Sequence, residues 1–323
     1  MTDPDALRIE SLTVRLGRQR AVRPILEDVS LYVRRGETVG LVGESGSGKS
    51  VTSRAALAML PAGAEVTGRV LVDGTDVLSA GRRQLRDLRS HKVSMVFQDP
   101  RAGVNPVRKI RQFLTEGLVA SGTSREKALQ LCSNLLESVG IRDTARVLEQ
   151  YPHQLSGGML QRIMIAAALA SEPRLLLADE PTTALDVTTQ AEVVSILEKR
   201  RAQANAAMLF VSHDLDLAGA ICERIYVMYA GRIVEQQTAG GLFSSPRHPY
   251  TRALLTSVPH LDDTQSLEAI PGRPLSLGES TPGCSFAPRC RLAEQQCVAD
   301  QPPLRQVGGA IVACVRAGEG EAS

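Results

Sequence analysis

The sequence predicts an α/β fold built on a parallel sheet whose strands are joined by helices. In the second half of the chain, short apolar runs alternate with longer helical stretches, which is the pattern of crossover connections between parallel strands. Near the N-terminus, the apolar run Thr38–Val42 enters a glycine-rich loop and then a helical stretch. Both observations favour a sheet with helices packed against it.

The first hundred residues contain several shorter predicted strands. Hydrophobic and polar residues alternate over Leu12–Leu16 and Val29–Val33, as in strands with one buried face. Val70–Val72 predicts another strand, and Asp73-Gly74 directly after it predicts a tight turn. The apolar run Val93–Phe97 predicts a buried strand.

Residues 107–170 have the periodicity of helices and predict a helical subdomain. Thr123 and Glu126 have the spacing of a capping box at a helix start. Hydrophobic residues then follow at helical spacing as far as Gly140, which predicts the end of that helix.

Strands and helices alternate again after this helical part. Leu175–Ala178 and Met208–Val211 predict strands, and Thr188–Arg201 and Leu215–Cys222 predict helices. Ile225–Glu235 predicts a terminal hairpin. From about residue 243 onward Pro, Gly, Ser and Cys become frequent, so we expect an appended tail of loops with one short helix near 249–257.

Composition restricts the class of protein. The chain has 323 residues and a formal net charge of +2, too small to indicate nucleic-acid binding. Aromatic residues make up 3% and Trp is absent, which argues against a base-stacking surface. No apolar run approaches the ~18 residues that cross a bilayer, and the N-terminus lacks the pattern of a signal peptide. We therefore expect a cytoplasmic protein that acts at a membrane only through partners.

The glycine-rich loop matches the phosphate-binding pattern G-x-x-x-x-G-K-[ST]. Its residues are Gly43, Glu44, Ser45, Gly46, Ser47, Gly48, Lys49 and Ser50. Glycines let successive backbone N–H groups point at phosphate oxygens. Lys49 is expected to reach the β- and γ-phosphates of ATP, and the Ser50 hydroxyl to bind Mg²⁺.

A second group of candidate residues follows the predicted strand Leu175–Ala178. Asp179 and Glu180 stand at its carboxyl end, the edge at which α/β sheets bind ligands. We expect Asp179 to hold Mg²⁺ through a water molecule and Glu180 to act as the general base on the attacking water. Together with the phosphate loop, this pair predicts an ATPase.

The segment Leu155–Arg162 resembles the signature sequence of the ABC ATPase family. Ser156 and the N–H groups of Gly157 and Gly158 open a predicted helix and can form a second phosphate cradle. In that family the cradle faces the γ-phosphate held by another subunit. The resemblance implies an ABC ATPase core with an antiparallel β subdomain, a helical signature subdomain and ATP sandwiched between two subunits.

Four further residues are assigned by the same resemblance. Gln98 is similar to the Q-loop glutamine, which senses Mg²⁺ and the γ-phosphate, and His213 to the switch histidine that contacts the γ-phosphate. Asp186 is similar to the D-loop aspartate, which reaches across the subunit interface. Leu16 occupies the position at which the family usually has an aromatic residue stacked on adenine, so what stacks on the base here is open.

Several stretches resemble the oligopeptide and dipeptide importers within this family. They are Val96–Pro100, Pro181–Thr188, Val227–Arg232, His248–Thr251 and Ile270–Gly272. The resemblance implies an ATPase domain over 7–242, with a helical part at about 107–170, and a cysteine-bearing extension over 243–323. It also implies a second ATPase subunit, two permease subunits and an extracytoplasmic solute-binding protein, with this chain at the cytoplasmic face of the membrane.

Six cysteines divide into two groups. Cys132 and Cys222 are isolated and are expected to be buried hydrophobes. The other four crowd into the tail: Cys284, Cys290, Cys297 and Cys314. Four thiolates can bind zinc or a [4Fe–4S] cluster, but the short C-x₂-C knuckle is absent. The resemblance to dipeptide-transporter subunits implies an iron–sulfur cluster, with Arg289 and Arg291 offsetting its charge; zinc and no metal stay open.

The function predicted from these residues is ATP hydrolysis that powers an ABC importer for peptides or a related solute such as a nickel chelate. The alternative is a soluble ABC-type ATPase that acts on nucleic acid or ribosomes. One ATPase cassette, the absence of heptads and the low net charge count against it. A purely redox-sensing protein is a third hypothesis, and the complete set of catalytic residues counts against it.

Overall fold

The structure is a computed structural model that describes residues 5–17, 23–182, 187–257, 270–275, 278–279 and 281–318. By its contacts the chain divides into two compact units. The first unit comprises Met1–Leu7, Val33–Glu37 and Leu71–Val211. The second comprises Arg8–Tyr32, Thr38–Val70 and Ser212–Ser323.

The strands and helices follow one another along the chain in the alternation that the sequence predicts. The strands are β1 Asp5–Leu16, β2 Arg23–Arg34, β3 Thr38–Val42, β4 Glu65–Val72, β5 Thr75–Asp76, β6 Val93–Val96, β7 Leu175–Asp179, β8 Ala207–Ser212, β9 Arg224–Tyr229, β10 Arg232–Thr238, β11 Arg305–Val307 and β12 Ala310–Val312. The α-helices are α1 Lys49–Ala55, α2 Arg82–His91, α3 Ile110–Ala120, α4 Arg125–Ser138, α5 Thr144–Glu149, α6 Gly157–Leu169, α7 Val187–Gln203, α8 Leu215–Ile221, α9 Ala239–Ser244, α10 Pro249–Thr256 and α11 Gln295–Ala299. Short 3₁₀ turns lie at Pro152–Gln154 and Ala287–Arg289.

The first unit has a parallel sheet in the order β8-β7-β6, with most of the helices. Every residue of β7 and β8 is buried, which explains why their sequences are apolar runs and do not alternate. Helices α3 to α6 fill the segment predicted to be helical. The N-cap of α4 is Ser124, whose hydroxyl accepts from the Lys127 N–H, so the capping box predicted at Thr123 is wrong by one residue.

A hairpin between β4 and β5 confirms the tight turn predicted at Asp73-Gly74. Val72 pairs with Thr75, and both turn residues have positive φ, 47° and 77°. The Asp73 carboxylate is almost fully buried and contacts three cations at 2.5, 3.2 and 2.8 Å: Arg35, Lys92 and Arg174. Burial opposes ionisation of Asp73, but hydrogen bonds from Arg35 and Lys92 and the charge of Arg174 outweigh it and lower its pKa.

The second unit contains two groups of strands. In one, β2, β1 and β4 are neighbours in that order. The Ser11 N–H donates to the Ser30 hydroxyl and the Asp28 N–H to the Thr13 hydroxyl, so β1 and β2 run antiparallel. The other group has the order β11-β12-β10-β9-β3, in which β3 and β9 are parallel and the remaining pairs antiparallel.

The tail is more regular than the sequence indicated. The short helix predicted near residues 249–257 is confirmed as α10. The rest is not only loops, because β12 pairs with β10 through Val312 and Glu235, and β11 pairs with β12. Each of these strands has three residues, too few to produce a recognisable period in sequence.

None of the helices in the described ranges has both the length and the apolar composition needed to cross a membrane.

Candidate nucleotide-binding site

The glycine-rich loop of the second unit joins the fully buried strand β3 to helix α1. Gly43 has φ 153°, and a Cβ there would lie 2.1 Å from the Met228 carbonyl oxygen of β9. Gly48 has φ 106°, and its Cβ would lie 2.7 Å from Leu26 Cδ2. Only glycine fits these two positions, so the pattern predicted from sequence has a steric cause.

Lys49 and Ser47 are the buried polar groups of this loop. Lys49 Nζ donates to the carbonyl oxygens of Gly43 and Glu44 at 2.8 and 2.9 Å. Ser47 Oγ is buried and has no hydrogen-bond partner among the residues that the structure describes. Leaving a buried hydroxyl unpaired costs about 1–3 kcal/mol. A bound phosphate oxygen would supply the missing partner and would also attract the Lys49 ammonium group.

Two tail residues that the sequence did not assign to the phosphate loop contact it. The Glu44 N–H donates to the Tyr250 hydroxyl at 2.8 Å, and Arg289 forms two hydrogen bonds with the Glu44 carboxylate. Arg289 is therefore engaged by a loop carboxylate, whereas the sequence suggested that it offsets a metal cluster. No local sequence signal could have revealed these contacts, because they join residues more than two hundred positions apart.

His213 and Leu16 also belong to the second unit. His213 follows β8 and is exposed, between Ser212 and Asp214. The Ser212 hydroxyl accepts from the Asp214 N–H at 2.9 Å, and Asp214 in turn caps α8, which fixes the backbone around the histidine. Leu16 is the last residue of β1 and is half-buried.

The two strand-end acids lie in the first unit. Asp179 is fully buried at the end of β7. Glu180 has φ 47°, a conformation that non-glycine residues rarely adopt, and its N–H donates to the Val211 carbonyl of β8. Gln98 Nε2 donates to Glu180 Oε2 at 2.8 Å. The structure thus brings together Gln98 and Glu180, two of the three residues predicted to be catalytic.

The predicted signature segment starts helix α6 in the first unit. Ser156 is the N-cap and accepts from the Met159 N–H at 3.2 Å, while Gly157 and Gly158 form the first turn. Beside them lies a cavity of about 590 Å³, lined in part by Arg142, Arg146 and Arg162. From the buried side of α6, Gln161 Nε2 donates to the Pro181 carbonyl at 2.7 Å, so this helix supports the loop that follows Glu180.

Asp186, predicted to be the D-loop residue, lies outside the described residues. The role predicted for Asp186 therefore stays a prediction.

The four tail cysteines line one small cavity of about 20 Å³, together with His248. Burial raises the pKa of the Cys284, Cys290 and Cys314 thiols, and it lowers the pKa of His248 to about 4. In the part of the chain that the structure describes, no three His, Cys, Asp or Glu side chains stand where they could hold a metal ion. The thiols are gathered, but they do not form a ready ligand set.

The two isolated cysteines, Cys132 and Cys222, are buried, as the sequence predicted. Burial raises the pKa of Cys132 to about 11.

Comparison with known proteins gives matches over nearly the whole chain. Residues 26–183 match the ABC transporter family, and residues 234–297 match the C-terminal region of oligopeptide/dipeptide transporters. A probable peptide ABC transporter ATP-binding protein of Sinorhizobium fredii is 42% identical over 97% of this chain and 95% of its own length. The oligopeptide transport ATP-binding protein OppD of Haemophilus influenzae is 40% identical over 90% of this chain and 91% of its own.

Solved structures agree with this assignment. The dimeric, ADP- and phosphate-bound structure of an ATP-binding cassette in its post-hydrolysis state has a TM-score of 0.65 at 26% identity, covering 72% of this chain and 98% of its own. A subunit of an ABC transporter complex from Clostridium perfringens has a TM-score of 0.64 at 25% identity, covering 75% and 92%. With these matches and the loop, strand-end and signature residues described above, the chain belongs to the ATP-binding subunits of ABC transporters, in the oligopeptide/dipeptide branch.

Proposed function

We propose that the chain binds and hydrolyses ATP to power the import of oligopeptides, dipeptides or a related solute. The observation that carries this proposal is the hydrogen bond between Gln98 and Glu180, at the end of a buried strand, in a chain that also contains a phosphate loop. Relatives named as peptide import ATP-binding proteins support the cargo class. They also disfavour the alternative of an ATPase that acts on nucleic acid or ribosomes.

Each site residue has a proposed role. The N–H groups of Gly43–Ser50 and the Lys49 ammonium bind the phosphates, and Ser47 Oγ gains a phosphate oxygen as its partner. Ser50, Gln98 and Asp179 supply oxygen ligands of the kind that Mg²⁺ prefers. Glu180 accepts a proton from the attacking water, with Gln98 orienting its carboxylate, and His213 contacts the γ-phosphate.

We propose that Leu16 contacts the adenine base of ATP. Its half-buried side chain at the end of β1 can cover the base by apolar contact without π-stacking. If so, Leu16→Tyr should lower the ATP dissociation constant, and an unchanged constant would contradict this contact.

We propose that the signature segment completes the site of a second ATPase subunit. The exposed Ser156 and the adjacent cavity of about 590 Å³ leave room for a phosphate group brought by that subunit. Asp186 is proposed to reach across the same interface. Two permease subunits and an extracytoplasmic solute-binding protein complete the importer, with this chain peripheral at the cytoplasmic face of the membrane. Residues 7–242 form the proposed ATPase domain, with its helical part at about 107–170, and 243–323 the extension.

The tail cysteines are proposed to hold a [4Fe–4S] cluster, with zinc as the second candidate. The support is the gathering of four soft sulfur donors on one cavity. Because no ligand set stands ready in the described residues, either group requires the thiols to turn toward one centre and to lose their protons.

The proposed chemistry is tested by Glu180→Gln. This variant should bind ATP as the original chain does, should hydrolyse it at least about 100-fold more slowly, and should accumulate as an ATP-bound closed pair. Hydrolysis and binding are measured on the chain assembled with its partner subunits.

Glu172→Gln is the matched control, because Glu172 is exposed and has nearly the same backbone conformation, φ 48° against 47°. It should hydrolyse ATP at the original rate. Normal hydrolysis by Glu180→Gln would refute the role of Glu180 as the base.

A further inference from the structure

Glu44, the first variable residue of the phosphate loop, is held by two residues of the tail. Its N–H donates to the Tyr250 hydroxyl at 2.8 Å. Its carboxylate accepts hydrogen bonds from both terminal nitrogens of Arg289, at 2.6 and 3.0 Å. This two-point geometry is the strongest form of an Arg–carboxylate pair. The tail therefore fixes both the backbone and the side chain of one loop residue.

Arg289 is itself firmly anchored. Its side chain is 4% exposed, against 23% for Glu44. Its Nε donates to the Pro271 carbonyl at 2.9 Å, and Nη1 donates to the Tyr229 hydroxyl at 3.4 Å. The hydrogen bonds with Glu44 raise its pKa, so it carries a permanent positive charge. Such a buried guanidinium group, hydrogen-bonded through all three of its nitrogens, cannot turn to another partner without loss of these bonds.

Tyr250 is part of the same rigid support. It is fully buried, and its ring packs against Tyr229 and Phe286, with centroids 4.7 and 5.3 Å apart. Phe286 lies in the short segment of the tail that also carries Arg289. Both groups that hold Glu44 are thus positioned by one aromatic cluster.

The charge of Glu44 makes this support important for nucleotide binding. The Glu44 carbonyl oxygen accepts a hydrogen bond from Lys49 Nζ at 2.9 Å, so the acidic residue belongs to the loop that must receive phosphates. A carboxylate carried by this loop repels a polyphosphate bound there, and the repulsion grows where water is excluded. Arg289 neutralises that carboxylate and holds it by the two hydrogen bonds.

We propose that Arg289 is a positioning residue of the ATP site, which acts by neutralising Glu44, and that Tyr250 assists it by fixing the Glu44 N–H. The tail thereby forms part of the phosphate site and does not serve only as an appended segment. This inference rests on the proposed binding of ATP by the loop.

The test is the dissociation constant for Mg·ATP, measured by calorimetry on the full chain. Arg289→Gln should raise it about tenfold, because Glu44 is left with an uncompensated charge. Adding Glu44→Gln to that variant should restore it to within about threefold of the original value, because the repelling charge is gone. If Arg289 only stabilised the tail, the double variant would bind Mg·ATP as weakly as the single variant.

The matched control is Arg273→Gln. Arg273 forms a similar two-point pair in the same tail, at 2.8 and 2.9 Å, but its side chain is 69% exposed and its carboxylate partner is Glu279, which lies outside the phosphate loop. It should bind Mg·ATP like the original chain. Should Arg289→Gln fail to fold, Arg289→Lys is measured in its place. Because the positive charge stays, the expected loss is below about threefold, and a loss of about tenfold or more would overturn neutralisation of Glu44 as the role of Arg289.

Unchanged affinity in Arg289→Gln, or a double variant no better than the single one, would overturn the inference. If the original chain itself bound no Mg·ATP, the proposed function would fail instead. The two failures are therefore distinguishable.

Discussion

Glu180, proposed to be the general base, has two structural features that set it apart from an ordinary strand-end acid. Its carboxylate has a fixed partner in Gln98, and its backbone holds a positive φ that costs free energy, of order 1 kcal/mol. The residue types could be predicted because Asp179 and Glu180 directly follow an apolar strand. The positive φ could not, because no local pattern marks it and the Glu180 N–H donates to Val211 of a neighbouring strand that is distant in sequence.

The phosphate loop and the tail show the same contrast between residues that a sequence pattern identifies and contacts that only the structure reveals. Gly43, Gly48 and Lys49 are close in sequence, so their pattern is visible without a structure. Tyr250 and Arg289 contact Glu44 across separations of 206 and 245 residues. No local sequence pattern indicates such contacts; the sequence indicated only that the tail contains stretches similar to the peptide importers and four clustered cysteines.

The tail thiols give a prediction at this scale. Because burial raises the pKa of Cys284, Cys290 and Cys314, these three thiols are protonated without metal, and binding of a cluster or zinc releases their protons. Anaerobically purified chain should contain iron and absorb visible light, and Cys290→Ser should lose both, whereas Cys222→Ser should keep both. Zinc without iron would contradict the cluster, and colourless protein with neither metal would contradict both candidates.

Secondary-structure elements were predicted well where the segment is long enough to show an apolar run or a turn signal. They were predicted poorly where the segment is short. The buried strands β7 and β8 and the β9–β10 hairpin were identified because apolar runs and turn residues mark them. The start of α4 was placed one residue early, because Thr123 and Ser124 are both good caps and only the extended backbone of Ser124 selects it. Strands β11 and β12 were missed because three residues show no period.

The β4–β5 hairpin gives a prediction at the scale of elements. Asp73→Asn keeps the turn, since Asn tolerates positive φ, but removes the charge that pairs with Arg35, Lys92 and Arg174. We expect the free energy of unfolding at neutral pH to fall by about 2 kcal/mol, as measured by urea denaturation. Asp28→Asn, at an exposed residue with φ 52°, is the control and should change it by less than about 0.5 kcal/mol.

The pH dependence of this effect follows from the lowered pKa. The Asp73 carboxylate stabilises the folded chain above its ordinary pKa of 3.8, and that stabilisation is lost as the pH falls through the lowered value. The difference between the original chain and Asp73→Asn should therefore shrink below about pH 4. A difference that stayed constant into acid would contradict this account of the network.

At the scale of the whole molecule, the predicted functional residues divide between the two units. The phosphate loop and His213 belong to the second unit with the tail, and Gln98, Asp179, Glu180 and the signature segment belong to the first. The family and its peptide-importer branch could be identified from sequence because every motif is short and contiguous. The support that the tail gives to Glu44 required the structure.

The central claim is that ATP turnover by this chain powers peptide import. Its most direct test is uptake of labelled peptides, from dipeptides to longer oligopeptides, by cells whose own copy of the chain carries Lys49→Ala. The control is Lys199→Ala, because Lys199 is exposed on α7. We predict that uptake of at least one class of peptide falls to background in Lys49→Ala cells and stays normal in Lys199→Ala cells. Equal uptake of every peptide in the two strains would contradict the claim.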